Sequence, residues 1–184
     1  YDICGKNIAI DSGMGVSEEN YFPAMTGESK RLDMILVTHR HLDHSGHIPA
    51  LAKDNPNAII GMTLPTSQGM LINIKDCLKI DRQKQMDIRR LGGKETPFIY
   101  RMEDAINFGK RIKTFSEPGW YSLWPGWLFG IYPSGHTRGA MMIFIIPPNG
   151  LAYLFTGDIS SHDQPLVKGV MLPPEEFLKP IKGK

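Results

Sequence analysis

The chain has 184 residues, of which 41% are hydrophobic and 22% charged, as is typical of one globular domain with a hydrophobic core. Its formal net charge is +2, so no bulk electrostatic field singles out a nucleic acid or a membrane surface as partner. The sequence has no apolar run long enough to cross a bilayer, and its two cysteines, Cys4 and Cys77, form no disulfide framework, which favours a reducing compartment such as the cytoplasm.

The hydrophobic pattern predicts strands and helices that alternate along the chain. A strand at 7–11 leads into a polar loop at 12–31 and then into a buried strand at 32–38. A short helix begins near His47. The later elements are a buried strand at 58–62, helices at 66–79, 80–94 and 102–112, and strands at 127–133, 141–147 and 151–156, the last two joined by the hairpin turn PNG. Interleaved strands and helices indicate an α/β fold.

The segment 38–44, THRHLDH, places three histidines and an aspartate directly after a buried strand. His39 and His41 are two positions apart, so in an extended segment they point the same way and can bind one cation. A turn or helix start after this segment would direct Asp43 and His44 towards a second cation. Neutral imidazole and carboxylate are ligands that Zn²⁺ and similar divalent ions take.

Three further residues of the ligand type follow predicted strands. Asp11 follows NIAI, His136 lies in SGHTRG, and Asp158 lies in TGD. Each of them alone would be an ordinary solvated or hydrogen-bonded side chain. A block of four ligand groups would be costly to desolvate without a cation, and together with these residues it predicts a metal site.

In this order the motifs resemble those of the metallo-β-lactamase superfamily of metallohydrolases: an early aspartate after a strand, HxHxDH, a later GH and a later GD. The resemblance implies a four-layered αββα sandwich. It implies one metallo-β-lactamase-like domain at 1–184, the N-terminal piece of a longer protein whose inserted cap domain and C-terminal part would follow Lys184.

The resemblance also implies a role for each ligand. His39, His41 and His136 would hold a first metal ion, Asp43 and His44 a second, and Asp158 would bridge the two.

Asp11 would orient the loops that carry these ligands. Asp43 is also the candidate catalytic residue, as acceptor of a proton from the attacking water. The expected cofactors are two divalent metal ions, Zn²⁺ by default, with Mn²⁺ or Fe as alternatives.

The run DHSGHIP is similar to the DHxGxxP pattern of the β-CASP group, which processes RNA and DNA. This implies a metal-dependent phosphodiester hydrolase, a ribonuclease active in RNA processing, with DNA as an alternative substrate. We expect the isolated 184 residues to have weak nuclease activity or none, even with metal bound. A small-molecule ester, thioester or lactone hydrolase on the same metals, and a non-catalytic scaffold or partner, are the alternative functions.

Other residues have two interpretations each. His47 either caps or borders a helix or contacts substrate, and Arg138 either shapes the His136 loop or contacts substrate. His162 is expected to be solvated or tied to Asp163 rather than to bind metal. A basic stretch either contacts RNA or forms a solvated helix face; it comprises Arg82, Lys84, Arg89, Arg90 and Lys94. RNA is the expected partner, no membrane is expected, and a homo-oligomer stays open.

Overall fold

The computed structural model describes residues 1–15, 31–96 and 98–183. Most of the loop predicted at 12–31 therefore lies outside the described residues. The strands are β1 (Asp2–Ile3), β2 (Lys6–Ile10), β3 (Met34–Leu36), β4 (Ile59–Thr63), β5 (Ile112–Phe115), β6 (Gly119–Tyr121), β7 (Leu128–Pro133), β8 (Met141–Ile146) and β9 (Tyr153–Phe155). The helices are α1 (Leu42–Ser45), α2 (Ile48–Asp54), α3 (Leu64–Arg90), α4 (Met102–Arg111) and α5 (Glu175–Leu178).

The first sheet has the strand order β1-β2-β3-β4-β5. β2 to β5 are parallel, with Ile8 opposite Met34 and Met34 opposite Ile59, and β1 pairs antiparallel with β2. All three residues of β3 are buried. A continuous apolar strand of this kind suits the centre of a parallel sheet that is covered on both faces, as the sequence predicts.

The second sheet is an antiparallel meander of β6-β7-β8-β9. All six residues of β8 are buried. The predicted PNG turn joins β8 to β9: the N–H of Gly150 donates to Pro147 O at 2.9 Å, and Gly150 has φ +81, which glycine adopts without steric cost.

The two sheets and the helices form four layers. One core lies between the first sheet and α2, α3 and α4, and contains Ile35, Ile60, Met70 and Phe108. A second lies between the sheets, where Met34 and Leu36 meet residues such as Phe129 and Ile143. A third joins Phe144 on the outer face of the second sheet to Phe177 of α5. The αββα architecture expected from the sequence is confirmed.

The main difference between the predicted and the observed helices lies in α3. The segments 66–79 and 80–94 form a single helix of 27 residues, α3, because neither glycine nor proline interrupts the chain between them. Thr63 caps it, with its Oγ1 accepting from the N–H of Thr66 at 3.3 Å. Among the described residues, no helix is both long and apolar enough to cross a membrane.

Candidate metal centre

The predicted ligands lie where strands end, at one edge of the two sheets. β2 and β3 run parallel, so Asp11 and His39, which follow them, leave the first sheet at the same edge. β7 and β9 both pair antiparallel with β8, so His136 and Asp158 also leave the second sheet at one edge. A backbone hydrogen bond of 3.0 Å from the first residue of β8 to the residue before His39 joins the two edges.

Four side chains form the first cluster: His39, His41, His136 and Asp158, whose ligand atoms all lie within 4.8 Å of one another. His136 Nε2 lies 3.1 Å from His41 Nδ1 and 3.3 Å from Asp158 Oδ2. The ring centroids of His39 and His136 are 4.9 Å apart. The structure thus brings together the three histidines predicted for the first metal ion.

A second cluster contains Asp11, His39 and His44. His44 Nε2 lies 3.2 Å from Asp158 Oδ1, whereas Asp158 Oδ2 lies 3.7 Å from His39 Nε2. The two carboxylate oxygens of Asp158 therefore face different histidines. This is the position expected of a residue between two metal ions, and its bridging role stays a prediction.

His39 provides a test of whether a cation fits the site. Its side chain is 0% exposed, and its Nε2 has no hydrogen-bond partner within the part of the chain that the structure describes. Burial, with His44 and His41 nearby, lowers the pKa of His39 to about 4, so the imidazole is neutral at physiological pH. A buried nitrogen with a free lone pair is costly unless it binds something. A divalent cation satisfies it, so these residues fit a metal ion.

Asp11 holds the second cluster in place. Its Oδ1 accepts from the backbone N–H of Thr38 at 2.7 Å, and its Oδ2 accepts from the Thr38 hydroxyl at 2.6 Å. The same Oδ2 lies 2.9 Å from His44 Nδ1, and this hydrogen bond raises the pKa of His44. An ionised carboxylate only accepts, so Nδ1 carries the proton and Nε2 is left to face Asp158. This is the orienting position predicted for Asp11.

The other predicted residues lie around the clusters. Asp43 is exposed on α1 and belongs to neither cluster of described residues, so its ligand and catalytic roles stay predictions. His47 is only 3% exposed, and its Nδ1 lies 2.9 Å from Ser12 Oγ, which favours a role in holding the loop over contact with substrate. Arg138 is exposed beside His136, and His162 is exposed with its Nδ1 3.1 Å from Ser161 Oγ.

The loop that carries His136 is supported from two sides. Gln164 Nε2 donates to His136 O at 2.9 Å. The hydroxyls of Thr63 and Thr66 donate to Gly139 O at 2.7 and 3.1 Å. No sequence motif marks these supporting residues. Glutamine and threonine are common surface residues, and only their neighbours in space distinguish them.

Known proteins resemble this chain in sequence. The family model described as "Metallo-beta-lactamase superfamily" matches residues 1–69. Endoribonuclease YSH1 from Candida albicans is 30% identical over 179 residues, covering 95% of this chain and 20% of that protein. Probable RNase MJ4 from Methanocaldococcus jannaschii is 25% identical over 169 residues, covering 91% of this chain and 36% of that protein. The chain thus spans a fifth to about a third of these curated relatives.

One solved structure resembles the chain over most of its length. A mutant metallo-β-lactamase from Cronobacter sakazakii superposes with a TM-score of 0.51 at 16% identity, covering 95% of this chain and 60% of that chain. At this identity the likeness concerns the fold alone. It agrees with the layers described above.

Proposed function

The chain belongs to the metallo-β-lactamase superfamily, and from this premise we propose that it is the metal-binding part of a ribonuclease of the β-CASP type, a metal-dependent phosphodiester hydrolase active in RNA processing. The observation that carries the proposal is the position of the Asp158 carboxylate, which lies between His136 and His39 on one side and His44 on the other. The ribonuclease names of the two curated relatives support RNA as the substrate.

We assign the metal ligands as the sequence predicts. His39, His41 and His136 hold one ion, Asp43 and His44 hold a second, and Asp158 serves both. Zn²⁺ is the first choice because the ligands are imidazole nitrogens and carboxylate oxygens, although Mn²⁺ or Fe suits the same set. When bound, two such ions supply Lewis-acid activation of water and charge neutralisation at phosphoryl oxygens.

The residues of the chain itself have three tasks in this proposal. The neutral imidazole of His39 donates its buried lone pair without first losing a proton, because its pKa is about 4. Asp11 fixes the ring of His44 through Nδ1. The exposed carboxylate of Asp43 accepts the proton of the attacking water. The first two tasks set the geometry of the site, and the third belongs to the chemical step.

The proposal also covers the cellular compartment of the chain, its action on DNA and its self-association. Cys4 and Cys77 are free, which suits a reducing compartment, and we propose the cytoplasm. DNA cleavage and self-association stay predictions.

A single-turnover assay tests the proposed function. The chain, in excess over a 5′-fluorescent single-stranded RNA, is incubated with Zn²⁺ or Mn²⁺, because excess protein makes even weak cleavage visible. We expect weak cleavage at most, and any cleavage should require metal, stop on chelation and be lost in His39→Ala. The matched control is His162→Ala, which removes an exposed histidine outside both clusters and should cleave like the wild type.

Two other results would contradict the proposal. Turnover of a thioester or lactone without RNA cleavage would instead support a small-molecule hydrolase. A metal-loaded chain that neither cleaves nor binds RNA would support a non-catalytic partner.

A further inference from the structure

A cleft of about 560 Å³ opens beside the metal centre, with His136 in its wall. The volume falls within the range of about 300–1,000 Å³ that is usual for small-ligand sites. Its other lining residues come from the 38–44 segment, the start of α3, the His136 loop and the segment after Asp158: Arg40, Pro65, Gln68, Gly69, Thr137, Arg138, Gln164, Leu166 and Val167. A ligand in this cleft would therefore lie next to the clustered histidines.

The cleft has a cationic wall. Arg40 and Arg138 both line it, and both are exposed. Across residues 1–15, 31–96 and 98–183, neither of them forms an ion pair, whereas Arg89 pairs with Glu95 at 3.2 Å and Arg90 with Asp87 at 3.5 Å. The two guanidinium groups in the cleft thus keep their donors available for an anion.

The fold directs Arg40 into this cleft. It lies at a bend between His39 and His41, and its side chain lines the cleft beside α3. Its carbonyl accepts from Ser45 Oγ and Asn73 Nδ2, both at 3.1 Å.

A glycine of α3 makes room for the Arg40 side chain. A Cβ added at Gly69 would lie 2.4 Å from Arg40 Cδ, so no larger residue fits at this position without displacing the arginine. The arginine is therefore held at the backbone by two hydrogen bonds and along its stem by α3.

The remaining wall combines apolar and amide groups. Leu166 is 92% exposed at the rim, and Pro65 lies in the wall. Gln68 offers an amide with both a donor and an acceptor. Guanidinium groups suit a phosphate, an apolar rim suits a base or ribose face, and an amide suits the polar edge of a base or a 2′-hydroxyl. A nucleotide presents all three chemical groups.

We propose that this cleft binds a nucleotide of single-stranded RNA next to the phosphate presented to the metal centre, with Arg40 and Arg138 on its backbone phosphates. The inference deepens the proposed function and rests on it. It assigns to two arginines a role in positioning the substrate strand that is separate from metal binding.

Fluorescence anisotropy tests the inference on the metal-loaded 184-residue chain with a labelled single-stranded RNA over a range of salt concentrations. We expect the double variant R40Q/R138Q to bind RNA about tenfold or more weakly at low salt, because two charge-assisted contacts are lost. The slope of log K against log salt should fall in magnitude by about 1.4, or about 0.7 for each phosphate contact. Metal content should equal that of the wild type.

The control K75Q/K110Q removes the same charge from exposed lysines of α3 and α4 that do not line the cleft, and it should leave both affinity and slope unchanged. Equal weakening in both double variants would overturn the inference, because it would show a general effect of charge. The inference would also be overturned if R40Q/R138Q bound RNA with wild-type affinity or lost its metal. In either case, metal-dependent cleavage by the wild type would leave the proposed function standing. A wild-type chain that binds no RNA would refute both.

Discussion

Asp11 combines an uncommon backbone conformation with a central place in the site. Its φ is +57, in the left-handed region that asparagine and aspartate tolerate better than most residues. The turn points its carboxylate back at Thr38 and His44. A substitute that also tolerates this backbone conformation therefore tests the contacts of the carboxylate without straining the turn.

Asp11→Asn makes that change with the backbone preserved. Asparagine has one acceptor oxygen where the carboxylate has two, so its NH2 group must face either the Thr38 N–H or the donors on the other side, the Thr38 hydroxyl and His44 Nδ1. The contact that orients His44 is therefore weakened. We expect Zn²⁺ affinity to fall about 10- to 100-fold, as for other groups that orient metal ligands. Competition with a chelating dye measures the change. Asp76→Asn, which changes an exposed carboxylate on α3, is the control; equal affinity in the two variants would contradict the orienting role.

The sequence pointed to the residues that form the two clusters because metal chemistry restricts both residue type and spacing. His39, His41 and His44 stand out in one short segment, and Asp158 follows a strand in a TGD motif. The supporting groups lack such a signal. Thr38 is in the quoted motif, yet its two hydrogen bonds to Asp11 depend on the parallel pairing of β2 with β3. Gln164 acts across 28 positions, on the carbonyl of His136.

At the scale of elements, the Asp104 carboxylate stabilises the start of α4 and links α4 to α2. Asp104 Oδ2 accepts from the N–H of Arg101 at 2.8 Å, which caps α4, and from Lys53 Nζ of α2 at 3.1 Å. The backbone hydrogen bond from Arg101, with Lys53 nearby, holds the pKa of Asp104 below its usual value of 3.8. A lowered carboxyl pKa stabilises the folded state fully above the unfolded-state pKa, and this contribution is lost as pH falls through the folded-state value.

Asp104→Asn keeps an acceptor oxygen for the Arg101 N–H but removes the charge that faces Lys53 and the start of α4, so it should lower the free energy of unfolding by about 1 kcal/mol at neutral pH. The difference from the wild type should shrink as the pH falls below 3.8, where the wild-type carboxyl also becomes protonated. Urea denaturation at several pH values measures it. Glu103→Gln removes an exposed charge from the same helical turn and should cost less; a pH-independent difference for Asp104→Asn would contradict the assignment.

The sequence predicted long elements better than short ones. The strands at 32–38 and 141–147 were identified because their apolar runs are nearly continuous. β5 and β6 have four and three residues, too few to show a period, and Ile112 at the start of β5 was assigned to the preceding helix. The predicted break in α3 was wrong. The change from apolar to basic residues shows where the helix leaves the core, and the helix itself continues. Its buried residues end at Ile74.

At the scale of the molecule, the centre joins the two sheets. His39 and His41 follow the first sheet, whereas His136 and Asp158 follow the second. Metal bound here stabilises only the folded chain. At a free metal concentration of 100 times the dissociation constant, the gain is about 2.7 kcal/mol. For a domain of this length, chelation should lower Tm by about 5–10 °C.

Thermal unfolding with and without a chelator measures this shift. His39→Ala should abolish it, because His39 belongs to both clusters, and His162→Ala should retain it in full. A chelator that leaves Tm unchanged in the metal-loaded wild type would show that the ion does not hold the sheets together.

The separation of the ligands along the chain has a kinetic consequence. His41 and His136, whose ring nitrogens meet at 3.1 Å, are 95 residues apart, and the two β-sheets must already be docked before both can reach one ion. An ion held by both histidines would therefore enter the site only after the sheets have docked, late in folding. Its presence should prolong the lifetime of the native chain by slowing unfolding, while the rate of refolding stays that of the apo chain.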